Sequence, residues 1–163
     1  MSDVKQFRLS SYIITMVGLV AIIGPYAADW NETHIFNENW PPQAKFHNAQ
    51  TMLLGSMLGI GSIWYSWKKT TDTQSKKTNI SIAVFLAAVY WMAQSISILF
   101  PETAFIDPQF GATPRLFGIP GQLALDMIVF LLLLVAYYAA NRTLKRMKTN
   151  SNKKPATPIF KHS

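Results

Sequence analysis

The chain has 163 residues, a formal net charge of +7 and no cysteine, and half of its residues are hydrophobic although mean hydropathy is only +0.15. No Asp, Glu, Lys or Arg occurs in Leu9–Ala28, Phe46–Trp67 or Thr78–Pro101, and Asp126 alone interrupts Leu116–Asn141. A bilayer-crossing helix needs about 20 mostly apolar residues, so these stretches exclude an ordinary soluble domain. The absence of cysteine excludes disulfides, thiolate metal ligands, iron–sulfur clusters and a cysteine nucleophile.

The first predicted span covers about residues 9–28. Lys5 and Arg8 precede it in the manner of a signal peptide, but cleavage after Ala28 or Ala27 leaves Tyr26 or Pro25 at the −3 position, where a small residue is required. The span is therefore expected to be retained, and Gly24-Pro25 is expected to kink or end its helix. A loop over residues 29–47 follows, then a second span at about 46–67 entered through Trp40-Pro41-Pro42, which reads as a rigid amphipathic mount. Within it, Gly55 and Gly59 form a small-xxx-small pair suited to close helix packing, including packing between copies of the chain. A short basic loop, 68–79, leads to the third span at about 78–101. A proline-rich loop, 100–118, leads to the fourth at about 118–141, with Pro120 suited to its first turn. Residues 142–163 read as a basic, disordered tail.

This pattern predicts an all-α, integral membrane protein, an antiparallel four-helix bundle formed by a single domain over residues 1–141. The termini and the 68–79 loop carry 13 of the 15 Lys and Arg residues; only Lys45 and Arg115 fall on the other two loops. By the positive-inside rule both termini are cytoplasmic and the loops 29–47 and 100–118 face outward. Trp64, Tyr65, Trp67, Tyr137 and Tyr138 then fall near one interface and Tyr26, Trp30, Trp40, Phe100 and Phe117 near the other, as aromatic belts do. The basic residues sit where topology and anionic lipid place them, which argues against a nucleic-acid partner and for the lipid bilayer. A bacterial inner membrane is the expected location, although no single residue dictates it.

Polar side chains gather in the outer halves of the helices. His47 and Gln50 lie one turn apart at the start of the second span and are expected to face the bundle, and Gln94 lies about 9 Å inside the outer end of the third. Gln122 and Asp126 share one face of the fourth, and Tyr90 with Trp91 would supply an aromatic wall. An intramembrane carboxylate costs at least about 2.5 kcal/mol unless paired or hydrated. Asp126 is thus the first candidate for acid–base catalysis or for stabilising a cationic ligand, with His47 relaying protons outward. The bland alternative is an aspartate that glues the fourth helix to Gln94 or Gln50. Asp29, His34 and His47 are candidate ligands for a divalent metal, in a spacing that matches no tight metal box.

The run Asp29-Trp30-Asn31-Glu32-Thr33-His34, followed by Trp40-Pro41-Pro42 and Ala44-Lys45-Phe46-His47-Asn48-Ala49-Gln50-Thr51, resembles a family of small four-span membrane proteins of unknown function. In that family a His often stands where this chain has Gln43. More loosely, the layout is similar to the emopamil-binding, sterol-isomerase-like superfamily and to DoxX-like membrane proteins, in span number, loop order and outer-half polar residues alone. Neither likeness transfers a catalytic residue. Two functions compete on the sequence. One is a membrane-embedded enzyme or binding protein for a small lipophilic molecule, with Asp126, His47, Gln50, Gln94 and Gln122 around an outward cavity. The other is an accessory protein acting through Gly55, Gly59 and the loops. A channel is disfavoured because the inner halves offer no continuous polar path.

Overall fold

A computed structural model describes residues 3–153, with side chains placed through residue 150. It contains four long helices: α1 (Asp3–Asp29), α2 (Pro42–Trp67), α3 (Thr73–Ser97) and α4 (Gly121–Lys153). Between α3 and α4 lie a 3-10 turn at Pro108–Phe110 and a hairpin of two short antiparallel strands, β1 (Arg115–Leu116) and β2 (Ile119–Pro120). Phe117 and Gly118 close the hairpin with φ of 50° and 82°, the two positive values that a two-residue hairpin turn demands. Pro120 ends β2 one residue ahead of α4, so the hairpin takes the residue that suited the first helical turn.

Local chemistry sets the other boundaries. Pro41 and Pro42 start α2, where a missing backbone donor does no harm. The Asp72 carboxylate caps α3 by accepting from the Ser75 backbone amide at 2.8 Å. Pro25 does not end α1, which continues to Asp29. Proline at 25 cannot donate to the carbonyl of Ala21, and that carbonyl oxygen lies against Gly55, where a β-carbon would approach it to 2.7 Å. Gly55 therefore makes room for the part of α1 that Pro25 disturbs.

Each helix packs on its neighbours in sequence, and α1 also packs on α4, so the order around the bundle is α1-α2-α3-α4. The α1–α2 pair is antiparallel. From one end to the other its contacts run Ser11 with Ser66, Thr15 with Trp67, Gly18 with Gly59, Ala21 with Gly55, and Asp29 with Asn48. The core is built from Ile14, Val17 and Ala21 of α1, Ile80, Ala83, Ala87 and Trp91 of α3, and Val129, Leu133, Ala136 and Ala140 of α4. The second helix contributes a different kind of surface, with Gly55, Gly59, Ser62 and Ser66 all buried.

Gly55 and Gly59 are thus spent inside the chain. A β-carbon at 59 would collide with the carbonyl of Gly18 and with Ile22, so this pair brings α2 onto α1 and is not a free face for a second copy.

Three helices are long and apolar enough to cross a membrane: α1, α3 and residues Gly121–Asn150 of α4. The second helix is as long, at 26 residues, but its small and polar buried face lowers its hydropathy. α4 runs to Lys153, so residues 142–153 are helical where the sequence reading began a disordered tail, and Thr143 and Leu144 there are buried. The remainder of that tail, 154–163, lies outside the described residues.

Candidate functional site

At the end of the bundle that carries the long loops, a cavity of about 460 Å³ opens between the helices. Its wall includes Tyr90, Trp91 and Gln94 of α3, Gln122 of α4, Thr51 of α2, Pro25 and Asp29 of α1, and His34 of the first loop. Val20, Leu54, Val89 and Leu125 make much of the remaining surface apolar. An apolar chamber with a few convergent polar groups is the usual form of a small-molecule site. Of the residues singled out in the sequence, the structure brings together Tyr90, Trp91, Gln94 and Gln122 with two of the candidate metal ligands, Asp29 and His34.

Trp91 is 2% exposed, and its indole N–H has no hydrogen-bond partner among the described residues. A buried indole nitrogen ordinarily finds an acceptor, because burying an unpaired donor costs about 1–3 kcal/mol. The side chain is fixed edge-on against Tyr90, with ring centroids 5.2 Å apart. One wall of the cavity therefore holds a rigid aromatic pair and an unspent donor.

Asp126 is fully buried but does not line the cavity. Its Oδ1 accepts from Gln94 Nε2 at 2.9 Å and its Oδ2 from Ser95 Oγ at 2.6 Å. Both carboxylate oxygens are thereby engaged by α3, the gluing arrangement that was the alternative to catalysis. What Asp126 does for the cavity is hold Gln94, one of its lining side chains, by the amide nitrogen. Ser95 was not singled out in the sequence, because a serine near a helix end gives no signal until the register of α3 against α4 is known.

His47 and Gln50 take a different position from the one expected. Both are exposed, neither lines the cavity, and His47 Nδ1 lies 3.3 Å from Gln50 Oε1 on the outer face of α2. The reason is the glycine seam. With Gly55 and Gly59 against α1, the inward positions one and two turns earlier are Met52 and Asn48, and His47 and Gln50 rotate away. No relay between His47 and Asp126 is formed.

The first loop is organised by its own side chains. Asn31 Nδ2 donates to the Ala28 carbonyl at 2.6 Å, and its Oδ1 accepts from the Thr33 amide at 2.8 Å and the Thr33 hydroxyl at 2.6 Å. His34 Nδ1 sits 2.7 Å from that same hydroxyl. His34 Nε2 faces Asp29 Oδ1 at 3.7 Å, and Asp29 Oδ2 accepts from Asn48 Nδ2 at 2.8 Å. The His34 ring packs edge-on against Trp40 at 5.1 Å. This network joins the end of α1 to the start of α2 and seats Asp29 and His34 in the cavity rim. Asn31, Thr33 and Asn48 were not among the candidates, yet they fix the loop.

As metal ligands, Asp29 and His34 are brought together while His47 is not. Among the described residues no group of three His, Asp or Glu side chains converges, and a bound transition metal needs at least that many protein donors in the usual sites.

A model of a protein family described as a family of unknown function, DUF6640, matches residues 13–148, from the first helix through most of the last. Neither a curated protein nor a solved structure matches the chain.

Proposed function

The chain belongs to the DUF6640 family, whose function is unknown, and on that footing we propose that it is a four-span membrane protein that binds a small lipophilic molecule bearing a hydrogen-bond acceptor. The termini and the 68–72 turn face the cytoplasm, and the cavity opens on the outer side. The orientation rests on the Lys and Arg bias between the two ends of the bundle. The fourth crossing, α2, is supported by its outer face: Leu53, Met57, Ile60 and Trp64 are all exposed, and each of the other helices exposes comparable side chains at mid-length, among them Leu19, Phe85 and Leu134. A girdle of that extent around all four helices is a lipid-facing surface.

The single observation that carries the binding reading is the unpartnered indole N–H of buried Trp91 in the wall of a largely apolar cavity. A carbonyl, ether or hydroxyl oxygen on the ligand completes it, while Tyr90 and the aliphatic residues take the ligand's apolar body. Binding is the function stated, since Asp126 is held away from the cavity by Gln94 and Ser95, and the Asp29–His34 pair at the rim is tied into the network of the first loop.

The test has two arms. The cysteine-free sequence makes single-cysteine labelling direct: Glu32→Cys is expected to react with a membrane-impermeant maleimide in intact cells and Thr71→Cys only after permeabilisation. For the cavity, an environment-sensitive naphthyl ketone dye is titrated into the purified full chain. Trp91→Phe keeps an aromatic ring against Tyr90 and removes the donor, and is expected to weaken dye binding at least about fivefold, the value of one neutral hydrogen bond. Equal dye affinity in wild type and Trp91→Phe overturns the ligand assignment, and reversed labelling overturns the topology.

A further inference from the structure

The opposite end of the bundle holds a second cavity, of about 300 Å³, that the proposed function does not use. Four cationic side chains border it: Arg8 from α1, Lys68 and Lys69 from the turn after α2, and Lys76 from α3. Among the described residues none of the four makes an ion pair; the only carboxylate pairing is that of Asp29 with His34 at the far end. The nearest acid in sequence, Asp72, is occupied in capping α3. Lys68 is held with its ammonium 5.3 Å from the centroid of the Tyr65 ring, which also lines the cavity and leaves the ammonium hydrogens free to bond elsewhere.

Surface lysines on this side of a membrane protein follow from topology alone, so the cations by themselves decide nothing. The deciding observation is deeper. Asn79 is 8% exposed, lines the same cavity, and keeps its amide nitrogen without a partner; the hydroxyl of Thr70, also in the wall, is buried and unpartnered as well. Two orphaned groups able to donate, inside a ring of four uncompensated positive charges, are what an anion with several acceptor oxygens satisfies. Val4, Phe7, Ile80 and Met147 give the remaining wall, which also includes Ser11 and Ser66, an apolar stretch that suits the glycerol and upper acyl region attached to such an anion.

We propose that this cavity binds a phosphate group, supplied by the headgroup of an anionic phospholipid. The phosphate oxygens accept from Asn79 Nδ2, the Thr70 hydroxyl and the ammonium and guanidinium groups of Lys76 and Arg8, and the hydrocarbon leaves past Phe7 and Met147. The site is separate from the loop-end cavity; it rests on the proposed membrane placement but not on the ligand assigned there.

Trp67 lines the cavity and reports on it. The full chain in neutral detergent is titrated with phosphatidylglycerol carrying brominated acyl chains, and separately with brominated phosphatidylcholine. The Trp67 signal is taken as the difference from Trp67→Phe. Quenching by phosphatidylglycerol at lower concentration than by phosphatidylcholine is expected. The double variant Arg8→Gln/Lys76→Gln is expected to lose about fivefold in affinity per charge, since each cation near a headgroup contributes about 1 kcal/mol. Lys145→Gln/Arg146→Gln removes the same charge from the same end outside the cavity and is expected to leave the affinity unchanged. Asn79→Leu is expected to weaken binding without lowering the melting temperature of the lipid-free protein, because it removes an unpaired buried donor. Inorganic phosphate distinguishes the source: competition at millimolar concentration identifies free phosphate as an occupant, and no competition identifies the lipid headgroup. Equal quenching by the two lipids, without any phosphate effect, overturns the proposal, as does equal loss in the two double variants.

Discussion

Ser95 and Asp126 meet across 2.6 Å between α3 and α4, with the serine hydroxyl donating to Oδ2 while Gln94 Nε2 takes Oδ1. Hydrogen bonds between membrane helices average about 0.6 kcal/mol and reach about 1.7. Asp126→Ala, which strands both donors, is therefore expected to destabilise the fold by about 1–3 kcal/mol. Asp126→Asn is expected to be nearly neutral. Its carbonyl oxygen can face Gln94, and its amide can face the Ser95 hydroxyl, which rotates to accept. Thermal unfolding of the two variants, followed by helical circular dichroism, checks the difference; a catalytic carboxylate shows no such rescue by Asn in a turnover assay.

The Gly18–Gly59 contact leads to a steric prediction. A methyl group at 59 meets the Gly18 carbonyl and lies 2.7 Å from Ile22 Cγ1, so Gly59→Ala is expected to cost about 1–3 kcal/mol through overpacking. At Gly24 the nearest atom to an added methyl is 3.9 Å away, and Gly24→Ala is expected to leave the melting temperature unchanged or raise it. Comparing the two melting curves separates the close helix contact from any general glycine effect.

In the first loop, Asn31 carries the helix-end bond to Ala28 and both bonds from Thr33. Asn31→Ala is expected to release the 29–40 loop, raising deuterium uptake there well above wild type while the middles of α3 and α4 remain protected. Loss of about 1–2 kcal/mol in the melting experiment accompanies it. Thr33→Ser, which keeps the hydroxyl, is expected to retain the wild-type uptake pattern.

At the start of α3 the bonds from Ser75, side chain first and backbone amide second, hold the Asp72 carboxyl below its ordinary value of 3.8. A group with a depressed folded-state pKa stabilises the fold above its unfolded value and loses that contribution as pH falls through the folded one. Corrected hydrogen-exchange protection of the Thr73–Lys77 amides is expected to stay level down to about pH 4 and to fall below it. Asp72→Asn, which keeps a capping oxygen that does not titrate, is expected to remove that pH dependence.

Much of this arrangement was legible once the inward positions are read as a seam. Residues 48, 52, 55, 59, 62 and 66 of α2, and 126, 129, 133, 136, 140 and 143 of α4, alternate by three and four, the spacing of helices packed at a shallow angle. That spacing places Asp126 in the interior and Asn48 in line with the two glycines. The polarity of His47 points it toward the bundle, whereas packing of the glycines decides which way α2 faces and turns it outward. The continuation of α4 past Asn141 follows the same seam through Thr143, in a stretch rich in Lys, Arg and Met, all good helix formers. The partners of Asp126, and the contact of Asp29 with Asn48, depend on how far each helix slides along its neighbour, and no single helix encodes that.

The α1–α2 contact has a mechanical consequence. It is fastened at one end by Ser11 to Ser66, in the middle by backbone contact at Gly18 and Gly59, and at the other end by Asp29 to Asn48. Two helices joined at three heights, one of them backbone to backbone, cannot splay or slide without breaking all three. Both cavities have this pair as part of their wall. The pair is the fixed jamb of each doorway, while across the bundle Asp126 latches α4 to α3 through Gln94 and Ser95.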